Sequence, residues 1–400
     1  MASSSTLLTR QPFKTLYAIY ALWLEAAIRL PLSALLYLLL PSLTRPEPRW
    51  TWRQAIGVRL LRAIVQHSAE VEVHVPLSLA AGAEGSRFVV MEPAEESIYR
   101  GPLVDDDDDG ITRPEKIGGT WYAERYQPPS TSAVNGKDNE KAAIVLHFHG
   151  GAFVLGDGRD KDCGHLARTM LRTCTSSVSH VFCPQYRLAG APTHARYPAA
   201  LQDALTSYLY LLRDCRIPAS RIIVSGDSAG GNIVNGLLRY LATYGQELGI
   251  EAPACAWLWS PWTNPSLALD AAYIVRSPNY PSDYISTGFG AWGARVYAGH
   301  REGLVKDVWI SAVNAEPYHS PSPVWMQTGG RELLFHDNVE FFEGMKKVNE
   351  KRGGGGQPCE LEIVPYAPHD IALTGHVVGF TKEYAEALKK AEAFFQSVRK

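Results

Sequence analysis

The chain carries almost no net charge: 39 Lys and Arg against 41 Asp and Glu leave a formal −2 over 400 residues, with an isoelectric point near 6.6. Without a surplus of either sign there is no case for a nucleic-acid surface or a strongly charged substrate, and small neutral molecules fit better. Cysteine is sparse. The six thiols (Cys163, Cys174, Cys183, Cys215, Cys255 and Cys359) show no C-x-x-C spacing and follow no cleavable secretion signal. They read as reduced, separately buried groups in a reducing or cytosol-facing compartment. His147 and His149, on a strand-like stretch, are not read as a chelating pair, and neither a metal nor a cofactor is expected.

Long apolar runs are scarce too. Only residues 13–43, FKTLYAIYALWLEAAIRLPLSALLYLLLPSL, approach a membrane segment, and Glu25, Arg29 and Pro31 interrupt them. The uninterrupted runs fall short of the roughly 20 residues that a spanning helix needs. Glu25 and Arg29 stand four apart, where they can pair on a helix. The segment reads either as an interfacial or tilted membrane anchor or as a soluble apolar lid over a pocket. Its length, its interruptions and the lack of a small-residue cleavage site argue against a signal peptide.

From Pro46 to Gln66, the residues Trp50, Trp52, Ile56, Leu60, Leu61 and Ile64 recur at helical spacing and read as a core-facing stripe. Residues 70–127 alternate like strands (VEVHV, RFVV, GTWYAERY) around five acids, Asp105 to Asp109, expected to form a solvated loop rather than a cation site. PPSTSAVNGKDNE at 128–140 and GGGG at 353–356 read as surface connections. After Lys141 the rhythm changes to strand, helix, strand, helix: AAIVLHFHGG, GHLARTMLRTC, HVFCPQY, ALQDALTSYLYLLRDC, RIIVSG, NIVNGLLRYLATYG, ACAWLWSPW. That alternation predicts an α/β fold with a mostly parallel sheet covered by helices on both faces, whose working groups gather beyond the carboxyl ends of the strands. The expected organisation is an apolar segment at 1–45, a cap with leading strands at 46–140, and the main body at 141–400 with an insertion near 263–320.

Two glycine-rich turns fall at that edge. Gly226-Asp227-Ser228-Ala229-Gly230 fits G-x-S-x-G, in which a tight strand-to-helix turn pushes a hydroxyl out to where a substrate can reach it. His149-Gly150-Gly151-Ala152 ends the first body strand in backbone able to approach a ligand closely. The amides of Gly150, Gly151 and Ala229 are candidates for an oxyanion hole. Acyl transfer through Ser228 also needs a base and an acid to hold it. His369, in a loop after strand-like ELEIVPY, is the candidate base, with His376 as fallback. The acid lies between: Glu332 follows a strand and a Gly-Gly turn, whereas Asp337 falls on a helix start and is the alternative.

Together HGGAF at 149–153, YRLA at 186–189, YPAALQDAL at 197–205, GDSAGGN at 226–232, LWSPW at 258–262 and HD at 369–370 resemble the hormone-sensitive-lipase-like esterases of the α/β-hydrolase fold. The resemblance covers roughly residues 141–398. It implies an α/β-hydrolase fold with a helical lid and a serine carboxylester hydrolase that removes a short acyl group from an apolar small molecule through an acyl-enzyme. Two departures stand out: Glu332-Leu333-Leu334 occupies the place of an Asp-x-Leu, and Ala152 replaces a third glycine. In the family the insertion after LWSPW contributes to a lid, which makes Tyr284, Phe289 and Trp292 candidates for the pocket wall or plain core. The amino-terminal part is similar to that of membrane-anchored fungal members, including steryl acetyl hydrolases and esterases of secondary-metabolite pathways. That likeness implies association with a membrane, the endoplasmic reticulum first, with a cytoplasmic protein as the alternative. The motifs leave open an acyltransferase or cyclisation catalyst using the same acyl-enzyme, and a non-catalytic small-molecule binder on the same fold. Oligomeric state is not legible.

Overall fold

The computed structural model describes residues 5–105, 112–128, 142–190, 195–299, 301, 303–314, 316–351 and 356–399. Eight strands make one sheet: β1 Phe88–Met91, β2 Ile117–Tyr122, β3 Ala143–Phe148, β4 Val178–Gln185, β5 Ile222–Asp227, β6 Cys255–Trp259, β7 Val324–Gly329 and β8 Cys359–Val364. Their order is β1-β2-β4-β3-β5-β6-β7-β8. β2 pairs antiparallel with β1 and β4, and every pairing from β4 to β8 is parallel. β3, β5, β6 and β7 are buried along their whole length, as expected of parallel strands sandwiched between helices. Trp257, Trp259 and Trp325 are fully enclosed there.

Six helices bear on the site: α1 Phe13–Leu39, α2 Trp52–Glu70, α3 Ala229–Tyr240, α4 Thr287–Tyr297, α5 Phe335–Glu350 and α6 Ile371–Val378. α2 starts at a capping box: Thr51 Oγ1 accepts from Gln54 N at 3.2 Å and Gln54 Oε1 accepts from Thr51 N at 2.9 Å. It packs against the second half of α1, against α4 and against α6, so it forms part of a cap over the carboxyl edge of the sheet.

Several expectations need correction. The stripe that α2 buries is Ala55, Val58, Val65 and Ala69. Trp52, Leu60 and Ile64 are 37%, 38% and 51% exposed, because the small residues are the ones that allow close approach to the body, and Trp50 is buried just ahead of the helix. VEVHV forms no strand: Glu72, at φ 43°, turns the chain as it leaves α2, and Val75 packs on the core without a ladder partner. Glu25 and Pro31 do not break the apolar segment. A π-helical turn, Glu25–Arg29, absorbs the change, Pro31 sits in the first turn of the next stretch where it needs no amide donor, and one helix runs from Phe13 to Leu39. Asp105 is not solvated but paired with Arg196 at 3.2 Å and Arg301 at 3.7 Å. Asp106 to Asp109, residues 129–140 of the polar connection and residues 353–355 of the glycine run lie outside the described residues.

Candidate active site

Ser228 sits between β5 and α3 with φ 50° and ψ −117°, a conformation that non-glycine residues rarely adopt. The turn holds because Ser228 N donates to Trp259 O at 3.0 Å and its own carbonyl accepts from Trp262 N at 2.8 Å. Gly230 permits it: a Cβ there would lie 1.9 Å from Phe148 O. Any side chain would push α3 off β3, so the motif's glycine is a packing requirement that presents the serine hydroxyl at the sheet edge.

His369 Nε2 lies 2.8 Å from Ser228 Oγ. On the other side of the ring, His369 Nδ1 faces Glu332 Oε2 at 3.5 Å, and neither atom has another hydrogen-bond partner among the described residues. The second carboxylate oxygen, Oε1, accepts from Asn338 Nδ2 at 2.8 Å and from Thr328 Oγ1. That side of the carboxylate is pinned, which leaves Oε2 aimed at the imidazole. Burial alone would lower the His369 pKa; the facing Glu332 carboxylate, aided by Asp283 and Asp370, outweighs it and raises the value to about 9.

The structure therefore brings Ser228, His369 and Glu332 into one line. Asp337 stands in the first turn of α5 and accepts from Asn264 Nδ2 at 3.4 Å, with its pKa raised to about 6 by burial. His376 lies on α6, stacked on His165 with ring centroids 4.3 Å apart.

The oxyanion loop differs from expectation at one residue. Gly150 N donates to Asp227 Oδ2 at 2.7 Å, so its amide is already committed to a carboxylate. No hydrogen bond within the protein, among the described residues, takes up the amides of Gly151, Ala152 or Ala229. Gly151 at φ 104°, Ala152 at 53° and Phe153 at 65° turn the loop back on itself. A Cβ on Gly151 would sit 2.2 Å from Leu155 O.

Behind the serine lies a closed polar network. Asp227 Oδ1 bonds His147 Nε2 at 2.9 Å, and His147 Nδ1 bonds Ser225 Oγ at 3.0 Å. Burial lowers the His147 pKa to about 3 and raises that of Asp227 to about 6, so the imidazole is neutral and donates to Asp227. His149 stacks on Tyr186 at 4.4 Å and bonds Gly150 O at 2.8 Å. The two histidines thus serve separate neighbours.

A cavity of about 340 Å³ opens over Ser228 and His369. Leu61, Ile64 and Val65 of α2 form one wall; Ile274, Tyr284 and Phe289 from the 263–320 insertion form another. The Tyr284 ring lies 5.5 Å from that of His369. Trp292 does not reach the cavity; it is buried one turn further along α4, where it packs on Phe289 at 6.4 Å. Trp262, from the LWSPW stretch, does line it.

A serine at a strained strand-to-helix turn, a histidine on its hydroxyl and a carboxylate behind the histidine, all at the carboxyl edge of a mostly parallel sheet, define the class: an α/β protein with a serine-histidine-carboxylate constellation. The model of the alpha/beta hydrolase fold family matches residues 145–373. The chain belongs to that family and stands with its hormone-sensitive-lipase-like members. It is 30% identical to an ethyl acetate hydrolase of Pseudomonas putida, covering 68% of this chain and 74% of that protein. It is 34% identical to esterase LipI of Mycobacterium tuberculosis over 54% of this chain and 62% of that one. The crystal structure of an esterase from the bacterial hormone-sensitive lipase family superposes with a TM-score of 0.54 at 20% identity, covering 93% of this chain and 98% of its own. The chain spans about three fifths of the length of the first curated relatives it matches.

Sequence reasoning passed over Thr328, Asn338, Asp283 and Asp227. Asp227 left a trace as the variable residue of G-x-S-x-G; Thr328 and Asn338 lie only four and six residues from Glu332 but match no motif, and Asp283 comes from a distant segment. Asp283 accepts from Leu333 N, Asn279 Nδ2 donates to Glu332 O at 3.0 Å, and both residues belong to the insertion. The cap thus holds the acid's loop from outside the body.

Proposed function

We propose that the protein is a serine carboxylester hydrolase acting on an apolar small molecule that bears a short acyl group. The observation that carries this is the 2.8 Å contact between His369 Nε2 and Ser228 Oγ at the base of an apolar cavity. In this reading Ser228 Oγ attacks the ester carbonyl while His369 Nε2 takes its proton. The Glu332 carboxylate stabilises the imidazolium that forms. The tetrahedral oxyanion is received by the amides of Gly151, Ala152 and Ala229, with Gly150 serving instead to tie the loop to Asp227; each such donor contributes about 3 kcal/mol in comparable sites. His369 then protonates the departing alkoxide, and water activated by the same nitrogen cleaves the acyl-enzyme.

The substrate class is supported by the aliphatic and aromatic cavity walls and by the relative named as an ethyl acetate hydrolase. The test is a chromogenic ester series from acetyl to decanoyl, run on the parent and on Ser228→Ala, with labelling by a serine-directed phosphonate. Turnover of the short esters and labelling of the parent alone are expected. Neither turnover nor labelling would end the enzyme reading; labelling without hydrolysis would replace it with acyl transfer or cyclisation; a strong preference for decanoyl would overturn the short-acyl reading.

A further inference from the structure

α1 is built inside out for a helix in water. Tyr17, Ala21, Glu25, Ser33 and Tyr37, four residues apart or multiples of that, face inward, and Ala21, Glu25 and Tyr37 are buried. The outward side carries Leu16, Ile19, Leu22, Trp23, Leu35 and Leu39, between 53% and 71% exposed. A soluble surface helix turns its apolar stripe the other way.

Two of the inward polar groups, Tyr17 and Glu25, engage α2. Tyr17 Oη bonds His67 Nδ1 at 2.7 Å; Glu25 lies 2.7 Å from Arg29, 3.6 Å from His67 and 3.8 Å from Arg59. The second half of α1 packs along the same helix, and Arg45 Nε then reaches back to Tyr37 O at 3.0 Å. α1 therefore lies antiparallel along α2 for most of its length. α2 in turn is fixed to the body: Arg62 donates to the carbonyls of Tyr280 and Asp283 at 2.6 and 3.0 Å.

The charge around α1 has one sign. Up to Arg53 the chain has six cations (Arg10, Lys14, Arg29, Arg45, Arg49 and Arg53) and two acids, Glu25 and Glu47, both buried and paired. Arg10, Arg49 and Arg53, near the two ends of the apolar face, are exposed, as are the aromatic rings of Phe13, Tyr20 and Trp23. Cations flanking an apolar stripe with interfacial aromatics complement an anionic membrane surface.

From this geometry we infer that α1 seats the protein on an anionic bilayer as an in-plane helix confined to one leaflet. At 27 residues it is about 40 Å long, enough to cross a hydrocarbon layer of about 30 Å, so length does not decide the matter. Docking does: a crossing helix would have to take Arg59, Arg62 and His67 of α2 into the lipid or break every contact above. The pocket follows from the same placement. Ile64 on α2, Tyr273 and Val377 line the cavity while 51%, 42% and 49% exposed, so its rim is apolar and shares a wall with the helix that meets the lipid. Resting on the hydrolase reading for the nature of the ligand, the cavity loads an apolar ester from the bilayer.

The test uses the full chain in two arms. In flotation with phosphatidylcholine vesicles containing phosphatidylserine, the parent rises with the vesicles, and Leu22→Glu combined with Leu39→Glu lowers the bound fraction about tenfold. In sealed microsomes, Gln11→Cys and Ser42→Cys, at opposite ends of α1, are both labelled by an impermeant maleimide without detergent. Labelling of one end only after detergent overturns the in-plane placement, and failure of the parent to float overturns membrane seating. Hydrolysis of a water-soluble acetyl ester by the glutamate variant stays at the parental rate; if the parent binds vesicles yet hydrolyses nothing, the hydrolase reading fails and the membrane placement stands.

Discussion

Glu332→Gln separates the carboxylate's charge from its shape. The amide keeps the volume and can still accept from Thr328 and Asn338, but it presents no charge to His369 across the 3.5 Å gap. The rise of His369 from the ordinary 6.5 to about 9 represents about 3 kcal/mol in favour of the imidazolium, and Glu332 is its chief source. In the transition state, where Ser228 has handed its proton to His369, the same attraction acts on the reacting form. Loss of the charge and of the tautomer it selects should lower kcat/KM by about 10³- to 10⁴-fold, or about 4 to 5.5 kcal/mol. The pH profile carries a second signature. In the free enzyme His369 must be neutral to act as base, so kcat/KM of the parent climbs with pH toward a midpoint near 9. In the variant burial gains the upper hand and the midpoint falls by about one pH unit or more. The linkage has the opposite sense: a raised histidine contributes stability that is complete below 6.5 and is lost as pH rises through about 9. The parent's stability advantage over the variant should therefore narrow across that window. Stopped assays with a soluble acetyl ester and urea melts at matched pH measure both. If Asp337→Asn took the large loss while Glu332→Gln stayed within about tenfold of the parent, the acid would be misassigned.

Asp227→Ala removes the acceptor of both Gly150 N and His147 Nε2; unfolding free energy should fall by about 2–4 kcal/mol, and kcat by about 10- to 100-fold with a smaller change in KM as the oxyanion loop loosens, which urea titration and steady-state kinetics report. Trp257→Ala, at a fully enclosed position in β6, should cost about 3–5 kcal/mol of stability, with kcat per folded molecule unchanged. Phe289→Ala widens the cavity wall, and the hexanoyl-to-acetyl ratio of kcat/KM should rise about tenfold; an unchanged ratio would place Phe289 out of the substrate's reach.

The body of the fold was readable because parallel strands buried on both faces leave an unmistakable trace: AIVLHF, IIVSGD and CAWLW admit little but apolar side chains until the carboxyl end, where the functional turn begins. The amino-terminal third follows no such rule. The alternation of VEVHV implies one buried face, yet a strand also needs a free sheet edge to pair with, and the turn at Glu72 denies it one. In α2 the large apolar residues suggested the core face, but helix-on-body packing selected Ala55, Val58 and Ala69 for closeness and left Leu61 and Ile64 to line the cavity. α1 misled in the opposite direction, since a π-helical turn lets a helix pass through residues that composition marks as breaks.

At the site, what is legible divides by range. The meeting of Ser228 and His369 was legible because their backbone settings are local, a glycine-flanked elbow and a loop before a final helix pair, and because their order along the chain restricts the choices. The supporting groups act through space. Asp227 precedes the serine and Asp370 follows the histidine, so the residues adjoining the two reacting groups meet behind them. Burial and the neighbouring Asp227 push the Asp370 carboxyl well above the usual range, while Asp227 itself sits near 6. The Asp370 and Asp227 side chains bond to each other, and Asp227 also holds Gly150 N at 2.7 Å and His147 Nε2 at 2.9 Å. These contacts join the loop of His369, the turn of Ser228 and the loop of Gly150. Neither aspartate touches a reacting atom in the proposed chemistry; their part is to keep the serine, the histidine and the oxyanion donors from moving independently, a role visible only once the three loops are seen in contact.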